Sequence, residues 1–243
     1  MQIFVEQSYF DKNIKDVSEK SEIEIISNPP ICDSYFTYDS KGLSFIRNAD
    51  NPKNFLNVNF LTGKLGWRIK RADHEGNLKK ALGRTKESLH IFDATAGLLA
   101  DSLIFLSLGH RVVAVEQSKI ICLLVNDAIH RAKNIIPFLE NIKLIHGNSI
   151  DIFKKLNACF DVVYLDPMYP VIKKNVKKSG DLDSVRSILE IEKISLDENI
   201  LIENFIKTDY KKLILKRPLK SKKIYSNINY QVKGKTTRFD IYL

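Results

Sequence analysis

From Leu89 to the C-terminus the sequence predicts an α/β fold on a mostly parallel sheet, closed by an antiparallel hairpin, and three observations carry that expectation. Short apolar runs such as Val112-Val113-Ala114-Val115 and Val162-Val163-Tyr164-Leu165 alternate with longer segments of helical periodicity, the pattern of βα units. The helical segments carry their own boundaries. Ser118 stands where an N-cap is needed, Ile121, Leu124, Val125 and Ala128 share one face behind it, and Gly109 stops an earlier segment. Near the end of the chain Lys233-Gly234-Lys235-Thr236 joins two extended runs as a turn.

Taken in order, strands are predicted at residues 90–94, 111–116, 143–146, 161–166 and 212–216. Helices fill 101–108, 118–133, 149–156 and two segments between Asp181 and Phe205, and the closing hairpin runs over 223–232 and 237–243. Residues 1–88 read differently, with short, β-like periodicity. Ser34–Tyr38 and Leu43–Ile46 flank Asp39-Ser40-Lys41-Gly42 as a hairpin, and Leu56, Val58 and Phe60 alternate. The expected organisation is a small β-rich N-terminal domain over 1–88 and a larger α/β domain over 89–243.

Composition limits the function classes. With 243 residues there is enough chain for a sizeable core, and 38 Lys+Arg against 29 Asp+Glu leave a net charge of +9. Such an excess suits a phosphate-rich partner, although lysine also accumulates on solvated surfaces without one. The purest apolar stretch, Ile120–Val125, is far shorter than the roughly 20 residues of a membrane span, so no membrane partner is expected. Glu6 falls where a signal peptide needs its apolar run, and Cys32, Cys122 and Cys159 are odd in number and without C-x-x-C pairing. A protein of the cytoplasm, with neither disulfides nor a metal, is the expectation.

Three places at strand ends can carry chemistry. The turn Asp93-Ala94-Thr95-Ala96-Gly97 precedes a helix start at Asp101, where small residues let a ligand approach the backbone; a plain tight turn has the same composition. Glu116 ends the next strand about twenty residues on, where a carboxylate accepts ribose hydroxyls or simply meets solvent. Most specific is Tyr164-Leu165-Asp166-Pro167-Met168-Tyr169-Pro170. Proline cannot continue the ladder, so Asp166 and the Pro167 carbonyl are presented as two acceptors matching the hydrogens of an amino group, and Tyr169 can stack on a base.

These residues carry a resemblance. Asp166-Pro167-Met168-Tyr169 resembles the D-P-P-Y motif of amino-directed methyltransferases that use S-adenosylmethionine, and the predicted architecture is that of the Rossmann-like methyltransferases. Together with Asp93–Gly97, Leu215-Lys216-Arg217-Pro218, Lys233-Gly234 and Arg238-Phe239-Asp240-Ile241-Tyr242, the set is similar to the RsmJ family of bacterial rRNA guanine-N2 methyltransferases. The resemblance implies cofactor contacts at Asp93, Gly97, Ala100, Asp101, Glu116, Gln117, Asn148, Ser149 and Asp166, and catalytic roles for Asp166, Pro167 and Tyr169. It implies 16S rRNA or the small ribosomal subunit as partner. The family reads Gly-Leu-Gly-Arg-Asp where this chain has Gly97-Leu98-Leu99-Ala100-Asp101, so Leu99 is expected to narrow the approach to the cofactor.

Cations near these motifs are assigned to rRNA phosphates: Lys216 and Arg217 at a strand end, Arg68 beside Trp67, and Lys173 and Lys174 after Tyr169. The Lys pair reads equally as a solvated loop. Two other functions fit the motifs, a methyltransferase of adenine N6 or of a glutamine side chain, and a non-catalytic RNA-binding or ribosome-assembly factor.

Overall fold

In the computed structural model, which describes residues 1–168, 180–194, 197–223 and 227–243, the chain is organised by two sheets. The first contains β1 (Gln2–Val5), β2 (Glu24–Ile26), β3 (Tyr35–Asp39), β4 (Gly42–Ile46) and β5 (Phe55–Asn57), in the order β2-β1-β3-β4-β5. The hairpin expected around Asp39–Gly42 is β3–β4, pairing Asp39 with Gly42. Three helices accompany this sheet where none was expected: α1 (Lys12–Ser21), α2 (Gly63–Lys70) and α3 (Gly76–Leu82). They are short, ten, eight and seven residues, and they interrupt a run of strands; α2 buries only Gly66 and leaves Trp67 62% exposed, while α3 buries Leu78, Ala81 and Leu82. A local cap starts α1, where Asp11 accepts the Ile14 N–H at 2.9 Å; α2 and α3 begin without a side-chain cap.

The second sheet follows the expected pattern closely. In chain order its elements are β6 (His90–Asp93), α4 (Ser102–Ser107), β7 (Arg111–Glu116), α5 (Lys119–Ala132), β8 (Ile142–His146), α6 (Ser149–Leu156), β9 (Val162–Leu165), α7 (Gly180–Ile191), α8 (Glu198–Ile206), β10 (Leu213–Pro218), β11 (Tyr230–Lys233) and β12 (Thr237–Tyr242). The order is β11-β12-β10-β9-β6-β7-β8, with β6 to β10 parallel and β12 antiparallel to both neighbours. Period-two alternation gives each strand two buried faces. Ile91, Val112, Ala114, Val162 and Tyr164 join the cluster under α4 and α5; Phe92, Val113, Val115, Val163 and Leu165 join that under α6 and α8. Each such apolar side chain contributes roughly 1.5–3 kcal/mol on burial.

One of these clusters runs on into the N-terminal sheet, uniting Ile3, Phe36 and Phe45 with Leu124 and Ala128 of α5. Polar contacts fix the join: the Leu43 N–H donates to Asp127 at 3.0 Å, and Arg131 donates to the Val58 carbonyl at 2.6 Å. Gly42 makes it possible. Its φ is +83°, and a Cβ there would lie 2.2 Å from Arg131 Nε, so both the turn and the close approach require glycine.

Candidate active site at the carboxyl edge of the parallel sheet

Because β6, β7, β8 and β9 are parallel and adjacent, their carboxyl ends bring Asp93, Glu116, Asn148 and Asp166 to one edge. The turn after β6 is held from inside. Asp93 is buried, accepts the Thr95 N–H at 3.0 Å and takes the Ser102 hydroxyl. Burial pushes its carboxyl up to about 7, against the pull of those bonds. Gly97, at φ +50°, turns its N–H to Glu116 Oε2 at 2.8 Å, and Ser118 gives its N–H to Oε1 at 2.8 Å. Burial also raises the Glu116 carboxyl, the two amides oppose this, and nearby Glu192 adds to it. Glu192 itself accepts the Ile120 N–H at 3.1 Å and binds the Ser118 hydroxyl, capping α5 alongside Ser118.

Leu99 corrects an expectation. It takes the left-handed backbone, φ +61°, that the family's glycine would adopt without cost, but its side chain is fully buried in the core beneath the turn. The strain of roughly 1–2 kcal/mol is offset by the buried leucine, and the side chain does not narrow the cleft. Asn148 accepts the Ile150 and Asp151 N–H groups at 3.0 and 3.2 Å as the cap of α6; Ser149 beside it is buried, and Gln117 is exposed with its carbonyl 3.1 Å from His146 Nε2.

At the other end of the edge a charge network gathers residues from four elements. Asp166 follows β9, its N–H donating to Thr95 Oγ1 at 2.7 Å and its carboxylate taking the Lys216 ammonium at 2.7 Å. The same ammonium reaches Asp101 at 2.7 Å. Asp101 also receives the Tyr164 hydroxyl and lies 2.6 Å from the Arg68 guanidinium, which donates in addition to Glu75 and, at 2.8 Å, to the Ala100 carbonyl. The two carboxylates differ. Burial favours the neutral form of both, but for Asp101 the cations Lys216 and Arg68 outweigh it and hold the carboxyl well below its usual range. Asp166, whose side chain is 33% exposed, is raised by burial, with Lys216 pulling it back and ionised Asp101 pushing it up.

Several residues sit other than where phosphate contacts were expected. Lys216 spends its ammonium on the two carboxylates, and Arg68 is committed to Asp101, Glu75 and Ala100. Arg217, one residue along β10, faces the opposite side, where it is buried beside Glu198 and Ser221. Met168 and Pro167 are described; Tyr169, Pro170, Lys173 and Lys174 lie outside the described residues. Thr95, Ser102 and Tyr164 as holders of the site were not foreseen, although Thr95 lay within the motif and Tyr164 two residues before Asp166. Among the described residues no group of His, Cys, Asp and Glu is placed to hold a metal, and no helix is long and apolar enough to cross a membrane.

A five-strand parallel sheet with an antiparallel hairpin at its edge, a small-residue turn after its first strand and an acid ending its second define a Rossmann-like methyltransferase. A family profile described as "Putative SAM-dependent methyltransferase" matches residues 20–243. Ribosomal RNA small subunit methyltransferase J of Pseudoalteromonas translucida is 33% identical over 216 residues, covering 85% of this chain and 83% of its own. The protein of that name from Thioalkalivibrio sulfidiphilus is 30% identical over 213 residues, 84% of this chain and 82% of its own. A solved SAM-dependent methyltransferase from Neisseria gonorrhoeae superposes with a TM-score of 0.68 at 25% identity, covering 100% of this chain and 96% of that one. The chain belongs to the ribosomal RNA small subunit methyltransferase J family.

The cofactor of that family, S-adenosylmethionine, fits the residues present. A Cβ built on Gly97 would meet only the Thr95 carbonyl, at 3.9 Å, so the turn leaves open space where a ligand must approach. Glu116 accepts the Gly97 and Ser118 N–H groups, one at each oxygen, with the Gln117 amide also close, out of the roughly four bonds a carboxylate can take, which leaves acceptor capacity for ribose hydroxyls.

Proposed function

We propose that the chain transfers the methyl group of S-adenosylmethionine to the exocyclic N2 of a specific guanine in small-subunit (16S) rRNA, acting in the cytoplasm. The observation that carries this reading is the placement of Asp166. It ends a strand at the ligand edge, is fixed by Thr95 and Lys216, and is followed by a proline whose carbonyl is a second acceptor. S-adenosylmethionine supplies an electrophilic methyl on a sulfonium, so the protein's task is alignment more than activation.

In this reading Asp93 to Gly97 line the methionine portion, Glu116 and Gln117 hold the ribose, and Asn148 and Ser149 border the adenine. Asp166 and the Pro167 carbonyl accept the two N2 hydrogens, which aims the nitrogen lone pair at the methyl group. When N2 gains the methyl it sheds a proton, and Asp166 takes it. A carboxyl raised by burial is a better proton acceptor than an ordinary one, while Lys216 limits the rise and keeps it ionised before the reaction. We assign Lys216 and Arg68 to positioning Asp166 rather than to phosphates, with Asp101, expected at the cofactor, as the carboxylate that holds both.

N2 lies on the pairing edge of guanine, so the base must be unpaired or rotated out of its helix, with Tyr169 as its stacking surface. Lys173 and Lys174 would hold neighbouring phosphates. Within this scheme residues 1–88 grip the RNA and 89–243 hold the cofactor. Nucleoside mass spectrometry after incubation with labelled cofactor and small-subunit rRNA tests the reading. The expected product is N2-methylguanosine; label in N6-methyladenosine or in protein glutamine, or no cofactor binding at all, would overturn it.

A further inference from the structure

Helix α3 borders a groove of about 740 Å³ whose residues have no individual role above, lined by Lys79, Lys80, Arg84 and Lys86 together with Asp73. Four cations face one acid. Asp73 lies 3.8 Å from Lys79 and is itself 95% exposed, and none of the described carboxylates pairs with Lys80, Arg84 or Lys86, which are all exposed. An uncompensated cationic groove attracts a polyanion, and its breadth suits a chain of phosphates better than a single anion.

Its course through the fold says where such a chain would lead. β12 is antiparallel to β10 and begins where β10 ends, pairing Thr237 with Pro218, so the turn at Gly234 lies at the same sheet edge as Asp166. That turn packs on the start of α3, where a Cβ on Gly234 would lie 2.8 Å from Asn77 Nδ2, next to Gly76 of the groove, and it carries exposed Lys233 and Lys235. The other end of α3 lies at the opposite sheet edge, where Lys212, before β10, donates to the Leu82 carbonyl at 2.8 Å. Glu75, at the start of α3, binds Arg68, which in turn contacts Asp101 and Ala100. The groove therefore starts beside the active site and descends one flank of the protein.

We propose that this groove carries the sugar–phosphate backbone of the substrate rRNA as it leaves the target nucleotide. The proposal rests on the rRNA reading above, but binding and product identity test the two separately. In the full chain, Lys80→Gln, Arg84→Gln and Lys86→Gln would be combined and compared with a control of equal charge change outside the residues assigned to RNA, the exposed Lys133→Gln after α5 with Lys154→Gln and Lys155→Gln on α6. Binding of naked small-subunit rRNA is measured against salt. Loss of three phosphate contacts lowers the slope of log K against log salt by about 2, at roughly 0.7 per contact. The control should change it by less than about 0.5, and the groove variant should show KM for rRNA raised about tenfold with kcat and cofactor binding unchanged.

Equal slopes for the groove variant and the wild type overturn the proposal, as does an equal loss in the control. Normal binding to naked rRNA with weakened binding only to the protein-bearing subunit also overturns it and points to a protein partner. If the slope falls as expected but the methylated nucleoside is not N2-methylguanosine, the groove stands and the guanine reading fails.

Discussion

Glu116 and Asp166 stand at the carboxyl ends of strands in one sheet, yet they are held by different kinds of partner. Glu116 is bound by two backbone amides, Gly97 and Ser118, both at 2.8 Å, whose positions follow from a turn and a helix start. Asp166 is bound by a side-chain ammonium from β10 that it shares with Asp101, which is itself clamped by Arg68 of α2. Amides of a fixed turn neither titrate nor change rotamer, whereas an ammonium shared between two carboxylates sets the proton affinity of both. In the proposed reading, the cofactor half of the edge is thus built for constant geometry and the acceptor half for a tuned charge. Substitutions in the first should alter affinity, and those in the second should alter rate and its pH dependence.

The largest effect is expected from Asp166→Ala. Turnover should fall about a thousandfold or more, with cofactor binding by calorimetry within about twofold of the wild type. Near-normal methyl transfer by a folded variant would remove Asp166 from the reaction and with it the contrast between the two ends. Lys216→Met comes next, at about a hundredfold in kcat near neutral pH. Asp166 must be ionised to accept hydrogens, so the rate rises with pH through its raised pKa; without Lys216, which pulls that pKa down, the rising limb moves to higher pH. Lys216→Arg should restore most of the rate. A limb that stays in place in the methionine variant would mean that another group titrates.

Glu116→Gln probes the opposite end and should act on binding. One carboxylate oxygen becomes an NH2 facing a backbone N–H, which costs about 1–3 kcal/mol of stability and removes an acceptor for the ribose. KM for the cofactor should rise about tenfold while kcat at saturation stays within about threefold and the pH profile does not shift. A shifted profile would show that the two ends are coupled, contrary to their separate partners.

How much of this the sequence discloses depends on how far apart the partners are along the chain. The strand at Arg111–Glu116 was legible to the residue, because an apolar run buried on both faces and ended by an acid has a single reading. Asp93, Gly97, Glu116 and Asp166 are placed at or after strand ends for the same reason, and the structure brings them to one sheet edge. The helices before residue 88 were not legible, being only ten, eight and seven residues long among strands of period two. Nor were the partners of Lys216 and Arg68. Lys216 meets Asp101 across 115 residues of sequence, and Arg68 meets Ala100 across 32, so no local pattern announces either pairing. Alternation along β10 does separate Lys216 from Arg217, a signal that adjacency in sequence obscures.

Asp93→Asn should give the smallest change in turnover, its effect confined to stability and its pH dependence. Asp93 supports the cofactor turn from beneath, and its carboxyl is raised to about 7 by burial from a usual value of 3.8. Folding therefore favours the protonated form. The stability this confers is fully present below the usual value and is lost as pH rises through about 7. Asparagine stays neutral throughout, its oxygen can keep the Thr95 N–H and its NH2 can donate to Ser102, so nothing is lost at acid pH. The variant should match the wild type in Tm near pH 3.5 and exceed it increasingly up to pH 8, by on the order of 10 °C, at about 1.4 kcal/mol per pH unit between 3.8 and 7 and roughly 2–4 °C per kcal/mol for a chain of this size. Contributions from Glu116 and His110 are common to both proteins and cancel in the difference. Methyl transfer should stay within about twofold. A Tm difference that does not grow with pH would show that Asp93 is ionised in the folded protein, and the buried carboxyl would then share the acceptor end's charge network instead of bracing the turn.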